Sequence, residues 1–345
     1  MAVIVLLAGC SSASAPAGSA AQASATATAA PSAALPTVVI GKAVDTIPFT
    51  VVDVAIAQHF FEKNGVNVKV ELVRGSSAAN AAMVGGSLQF ACEAANPLML
   101  ARQAGVPLIA IDAIDRGVTL QLVVSTKWLQ AHPVAAGASL KTKMAALDGA
   151  VFGEVSTTDL SYFHLLRGQA GLPIDTGYRV EQIGTQAAIA LAIQKGLIDV
   201  TMQSPPSSMK LVDGGFAQIL IDRNDVGNWD NTAYDIMVTT STYAKAHPDT
   251  TKAVAMAVAE GLNFMRAHPN QTLAIEKAHF ASLSSSVLEK SLKFIPFAPN
   301  GLQSQASWDN AVNLAQGTGV IKGVTSAPEG AYWTNEYIDV AKLGQ

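Results

Sequence analysis

Cysteine, charge, aromatic rings and long apolar runs are all scarce in this chain, and each scarcity removes a class of answer. Two cysteines, Cys10 and Cys92, cannot form the framework that staples small disulfide-rich folds. Charged residues make up only 14% of the 345, and the net charge is -4, so no sequence-wide basic surface exists for a nucleic acid. No apolar stretch reaches the roughly 18 to 20 residues that a membrane-spanning helix needs. What is abundant is small and apolar. Hydrophobic residues are 50% of the chain, many of them Ala, a composition suited to closely packed α/β layers, and the length allows about two domains.

The N-terminal stretch differs from the rest. Residues 2–8 are an apolar run ending in Leu7-Ala8-Gly9-Cys10, which resembles the lipobox of bacterial lipoproteins, although no Lys or Arg precedes it. The resemblance implies a signal peptide over residues 1–10, lipid on Cys10 and an extracytoplasmic, periplasmic-face protein anchored to a membrane by that lipid. Residues 11–36 are Ala, Ser, Thr, Pro, Gly and Gln with one Leu and no charge. That composition cannot bury a core and reads as a flexible tether. With Cys10 lipidated, Cys92 has no partner; in the apolar run 88–92 it reads as a small buried filler.

From residue 37 onward one pattern is stated twice. Val39-Ile40-Gly41 opens a segment that passes Asn64-Gly65 and Gly75-Ser76-Ser77 and closes in Gly86-Ser87-Leu88-Gln89-Phe90. Val151-Phe152-Gly153 opens another that passes Ala170-Gly171 and Gly184-Thr185-Gln186 and closes in Gly196-Leu197-Ile198-Asp199-Val200. Each reads strand, helix, Gly turn, strand, Gly-Ser/Thr turn, Ala-rich helix, Gly turn, strand. Two similar α/β lobes with polar turns at their strand ends predict a cleft that takes a small ligand.

Short β-rich runs predict strands at 38–40, 66–73, 88–92 and 108–111, then at 150–152, 179–183, 199–202 and 218–221. Helical patterns separate them, so the strands are expected to be mostly parallel. Two longer runs, 118–125 and 234–240, are expected to be the crossings between lobes, giving lobe one as 37–118 plus 238–345 and lobe two as 119–237. Pro248 and Pro269 each suit the first turn of a helix, and Val254, Val258, Leu262 and Met265 form one apolar stripe facing the lobe-one sheet. Trp308, Tyr332, Trp333 and Tyr337 are expected to pack a C-terminal helix pair. The Ala-His-Pro tripeptides at His132, His247 and His268 lack the ligand spacing of a zinc site, and no metal or cofactor is expected.

Taken in order, these pieces resemble the periplasmic substrate-binding proteins of ABC importers, of the nitrate, sulfonate and taurine type that also contains thiamine-pyrimidine binders. Val39-Ile40-Gly41, Gly75-Ser76-Ser77, Ala104-Gly105-Val106-Pro107, Leu147-Asp148-Gly149 and Gly184-Thr185-Gln186 carry the resemblance, which runs from Thr37 to the end. It implies the type II periplasmic-binding α/β fold, with two similar lobes joined by two hinge strands. A small-molecule ligand, permease subunits as partners, a monomeric state and no catalysis are implied with it.

The candidate ligand contacts are the turns at the carboxyl ends of the strands. Asp45, Thr46 and Phe49 follow the first strand, where Asp45 serves equally well as a helix N-cap. Ser76 and Ser77, and Thr185 and Gln186, stand at helix N-termini, where free N–H groups and hydroxyls hold an oxyanion or simply cap the helix. Ser156, Thr157, Thr158 and Asp159 occupy the lobe-two position equivalent to Asp45-Thr46, and Glu93, Asn96 and Gln203 finish the last strand of each repeat. These turns carry Asp45, Glu93 and Asp159 but no Lys, so an organic ligand with an amine, amide or ring suits them better than a small inorganic anion. Phe49, Tyr162, Trp229 and Tyr234 either offer ring faces or fill core. Ser207-Ser208-Met209-Lys210 and Asp175-Thr176-Gly177 match fragments of catalytic motifs without the companion elements those chemistries need. The expected function is delivery of a small organic solute, a sulfonate, a carboxylate or a relative, with a pyrimidine-type thiamine precursor or a transporter-independent sensor as alternatives.

Overall fold

The computed structural model describes residues 34–343 other than 156, 228 and 320, and leaves out the side chain of residue 157. The expected signal segment, Cys10 and the tether up to residue 33 therefore lie outside the described residues. From Thr37 the chain runs β1 (Thr37–Lys42), α1 (Val51–Ala57), α2 (Phe60–Lys63), β2 (Asn67–Leu72), α3 (Ser76–Val84), β3 (Phe90–Ala94), α4 (Ala95–Gln103) and β4 (Leu108–Ala113). The middle follows with β5 (Gln121–Ser125), α5 (Thr126–Ala131), α6 (Leu140–Ala145), β6 (Val151–Glu154), α7 (Thr157–Gln169), β7 (Arg179–Gln182), α8 (Gln186–Lys195), β8 (Val200–Gln203), α9 (Ser207–Asp213) and β9 (Ala217–Ile221). After β10 (Asp235–Thr240) come α10 (Ser241–Ala246), α11 (Pro248–Ala267), α12 (Pro269–His279), α13 (Ser285–Phe294) and α14 (Gln305–Gly317).

The strands form two five-stranded sheets of one topology, β2-β1-β3-β10-β4 and β7-β6-β8-β5-β9. In each, the first three strands are parallel and the fourth is antiparallel to both neighbours. The runs 118–125 and 234–240 supply these fourth strands, β5 and β10. They are wholly buried sheet members rather than free crossings, and the passages between sheets lie just before them, at 114–120 and 222–234. β10 begins at Asp235, inside the segment assigned from the sequence to lobe two.

The repeated glycine of Val39-Ile40-Gly41 and Val151-Phe152-Gly153 has one physical cause in both sheets. A Cβ on Gly41 would stand 2.5 Å from Leu88 Cδ1, and one on Gly153 would stand 2.3 Å from Ile198 Cδ1. The apolar side chain that leads into β3 or β8 fills the space a larger residue would need.

Both faces of each sheet are covered. α1 and α11 cover one face of the first sheet, with Val254, Val258, Leu262 and Met265 of α11 in that core, while α3, α4 and α14 cover the other. α7 packs on one face of the second sheet and α8 and α9 on its opposite face. Pro248 and Pro269 start α11 and α12 as expected, whereas His132 ends α5 and Pro133 starts no helix. The C-terminal helix pair is not formed: α14 carries Trp308, but Trp333 lies in irregular chain bridged to Ala110 of β4. Gly319, Gly323 and Gly330, all at positive φ, break helical continuation there. No described helix is long and apolar enough to cross a membrane.

Candidate ligand-binding site

The carboxyl ends of β1, β2 and β3 face those of β6 and β8 across a cavity of about 460 Å³. Its floor is made by the two passages between the sheets, through Thr119 and Leu120 on one and Tyr234 and Asp235 on the other. Of the residues selected from the sequence, Thr46, Phe49, Ser76, Ser77, Asn96, Thr158, Asp159, Gln186 and Gln203 line it. Ser77, Asn96 and Thr158 also border an adjoining cavity of about 620 Å³ that runs out between α3, α4 and α7. Ser156 and the side chain of Thr157 lie outside the described residues.

Several of these side chains have assignable partners. Thr46 Oγ1 donates to the Pro205 carbonyl at 2.8 Å, a hydrogen bond from one side of the cavity to the other. Asp159 Oδ2 accepts from the Val155 N–H at 3.2 Å, and Gln186 Oε1 accepts from Ser207 Oγ at 3.1 Å. Gln203 Nε2 donates to Thr201 Oγ1 at 3.2 Å, while its Oε1 is buried without a partner among the described residues.

The two Gly-Ser/Thr turns differ. α3 starts behind Gly75, whose φ of 96° suits glycine, and has no side-chain cap, so its first N–H groups are open where Ser76 and Ser77 line the cavity beside Arg74. α8 is capped instead: Thr185 Oγ1 accepts from the Ala188 N–H at 3.2 Å, and Thr185 does not line the cavity. Asp45 is exposed and neither caps a helix nor lines the cavity; its Oδ1 pairs with His279 Nε2 at 2.8 Å.

Glu93 is also displaced from the ligand side. It is fully buried behind the wall, and neither carboxyl oxygen has a hydrogen-bond partner among the described residues. Burial pushes its pKa up to about 8 against the opposing pull of Ser76 and Asn80. The register of the sheet explains this. In the antiparallel pair β3–β10, Asp235 lies opposite Ala94 and shares its cavity-facing side, whereas Glu93 lies opposite Ile236 on the other side.

Asp235 and Asp115 are the acidic residues that reading the sequence missed. Asp235 is 5% exposed, and its backbone N–H donates to Asp115 Oδ1 at 3.1 Å. Burial pushes Asp235 up to about 7; Asp115 is driven well above the carboxylate range by burial and by the charge of Asp235. The available signal was a charge opening the otherwise apolar run 235–240, where burial without a partner is costly. Tyr162 and Tyr234 line the cavity with rings edge to face at 6.2 Å, while Trp229 packs behind Tyr162 as core. The cavity thus combines acceptors on its floor, rings on its walls and N–H and hydroxyl donors at the start of α3. No grouping of His, Cys, Asp and Glu suited to a metal ion occurs among the described residues.

Residues 46–272 match the family model described as NMT1/THI5 like. No curated protein matches the chain in sequence. Among solved structures, a protein of Bordetella bronchiseptica RB50 superposes with a TM-score of 0.71 at 19% identity, covering 87% of this chain and 95% of its own. The periplasmic aliphatic sulphonate binding protein SsuA of Escherichia coli gives 0.64 at 17% identity, over 84% and 95%. The periplasmic nitrate-binding protein NrtA of Synechocystis PCC 6803 gives 0.66 at 14%, over 84% and 83%. The fold shared with these structures is the periplasmic binding protein fold.

Proposed function

The chain belongs to the NMT1/THI5-like family, and from that premise we propose that it is an extracytoplasmic solute-binding protein that hands a small organic ligand to an ABC importer. The observation that carries this reading is the cavity itself: about 460 Å³, bordered by strand ends of both sheets and floored by the two passages between them. Such a site encloses one small molecule and couples its binding to the angle between lobes. The lobes are 37–118 plus 238–345 and 119–237 as expected from the sequence, with residues 235–237 of β10 joining the first, and they close about those passages. Polar contacts that span the two halves support closure: Asp213 of α9 accepts from Ser284 Oγ at 3.0 Å, Ser286 Oγ at 2.9 Å and Lys290 Nζ at 3.1 Å.

The ligand is a sulfonate, a carboxylate or a related organic solute, bound without chemical change, with its acidic end at the start of α3 beside Arg74. A pyrimidine-type thiamine precursor is the second reading, favoured by the rings of Phe49, Tyr162 and Tyr234 in the cavity wall. In both readings the protein is monomeric, and Cys10 carries the lipid that holds it to the membrane. A thermal-shift screen against sulfonates, aromatic carboxylates, pyrimidines and amines tests the proposal. At 100-fold excess over its dissociation constant a true ligand stabilises the fold by about 2.7 kcal/mol. Absence of stabilisation across all four classes, or recovery of a chemically altered compound, would contradict it.

A further inference from the structure

We propose that Asp235, backed by Asp115, is the specificity-determining group of the cavity, and that it selects a ligand bearing a cationic nitrogen: an amine or a protonated nitrogen heterocycle. This rests on the solute-binding reading above and adds the chemical class of ligand to it.

Asp235 sits at the first position of β10, on the cavity floor, 5% exposed. Arg223, the cation that acts on Asp115, is committed elsewhere: its guanidinium reaches Asp230 at 3.4 Å and donates to the Phe294 carbonyl at 2.5 Å. Among the described residues no salt bridge reaches Asp235 or Asp115. A carboxylate so placed is unfavourable unless it holds a proton or meets a counter-charge, and the cavity is the open side from which a counter-charge can come.

A second observation points the same way from the opposite sheet. Gln203 is 2% exposed, lines the same cavity and leaves Oε1 without a donor among the described residues. A carboxyl and an amide oxygen thus line the same cavity, and a ligand that brings donors suits both. The rings of Tyr162 and Tyr234 beside them add faces that attract a cation. An anion at the same depth would lie against a carboxylate.

The pair divides its labour. Asp115 Oδ1 is taken up by the Asp235 N–H and fixes where the strand begins, which is a structural duty. The Asp235 carboxyl also shares a hydrogen bond with the Asp115 carboxyl, and asparagine can keep that bond through its amide, so Asp235→Asn removes the charge while keeping the shape.

The test uses the purified full chain and four matched probes: benzylamine, benzyltrimethylammonium, benzyl alcohol and benzenesulfonate, titrated by ligand-observed NMR and calorimetry at pH 8. Benzylamine is expected to bind at least about ten times as tightly as benzyl alcohol, and benzyltrimethylammonium, which carries the charge without an N–H donor, to fall between the two. Losing a hydrogen-bonded charge lowers affinity by roughly ten- to a hundredfold, and Asp235→Asn is expected to weaken benzylamine by that factor while leaving benzyl alcohol unchanged and without lowering the melting temperature at pH 8. Benzylamine binding that survives Asp235→Asn overturns the assignment. If benzenesulfonate binds and the cations do not, the assignment falls while solute binding stands; if none of the four binds, the assignment falls and the thermal-shift screen of the four ligand classes decides solute binding.

Discussion

Glu93→Gln isolates the electrostatics of the cavity wall from the chemistry of the cavity. Glu93 ends β3 fully buried, with neither carboxyl oxygen hydrogen-bonded among the described residues, and burial raises its pKa from 4.5 to about 8. A carboxyl whose folded pKa exceeds its unfolded value binds more protons when folded. Its contribution to stability is therefore fully present below pH 4.5 and is lost as pH rises towards 8 and beyond. At 1.36 kcal/mol per unit, that interval corresponds to about 4 to 5 kcal/mol. Glutamine keeps the shape, carries no charge, and offers an amide donor to the unpartnered Oδ1 of Asn80. Urea unfolding of both proteins at pH 4.5, 6, 7 and 8 gives the difference directly. The variant should match wild type at the acid end and gain stability progressively, by up to about 4 kcal/mol at pH 8. Glu276 and Asp235, raised to about 8 and about 7, add slopes common to both proteins, so the difference curve is diagnostic. A difference independent of pH refutes the burial argument. A tenfold loss of ligand affinity at unchanged stability would return Glu93 to the ligand contacts expected from the sequence.

Thr185→Ala should lower stability by about 1 kcal/mol through loss of the α8 cap and leave affinity unchanged. Ser77→Ala should instead weaken a ligand that accepts from its hydroxyl by roughly tenfold or more, without a matching loss in melting temperature; equal behaviour of the two variants would remove the distinction drawn between the two turns. Gly41→Ala and Gly153→Ala should each destabilise by about 1 to 3 kcal/mol, because the added Cβ meets Leu88 or Ile198; chemical denaturation at neutral pH measures this, and a neutral result at both would discredit the close-approach account of the repeated glycine. Cys10→Ala should move the protein from the membrane fraction to the soluble fraction on cell fractionation, and wild-type protein found soluble would end the anchor proposal.

Much of the fold was legible because local patterns coincide with what each segment buries. The β-rich runs around 38–40, 66–73, 88–92 and 108–111 became β1 to β4, and their counterparts became β6 to β9, since short apolar runs between helical patterns have few other places to go. The runs at 118–125 and 234–240 were visible as β-rich but read as crossings between lobes; that they are fourth strands, and of which sheet, depends on pairing with residues far along the chain, and composition carries no trace of that. The aromatic residues near the C-terminus were rightly read as packing, yet Trp333 packs from irregular chain because the surrounding glycines cannot sustain a helix.

The site was legible to the level of the turn and not of the residue. Ser76, Ser77, Asn96 and Gln203 line the cavity, as expected for polar residues at strand ends. Glu93 and Asp235 were indistinguishable as acids at strand termini; the β3–β10 register turns one away from the cavity and the other into it. Thr185 looked like the twin of Ser77, but a side chain that reaches its own helix's N–H is satisfied there and has no need of a ligand.

Binding of one small solute without chemical change is the central claim, and equilibrium dialysis of the best compound from the thermal screen, followed by mass spectrometry of what is recovered, tests it most directly. One molar equivalent bound per chain and recovered unaltered is the predicted result. Recovery of a converted compound, or no retention above the protein-free control, would contradict it.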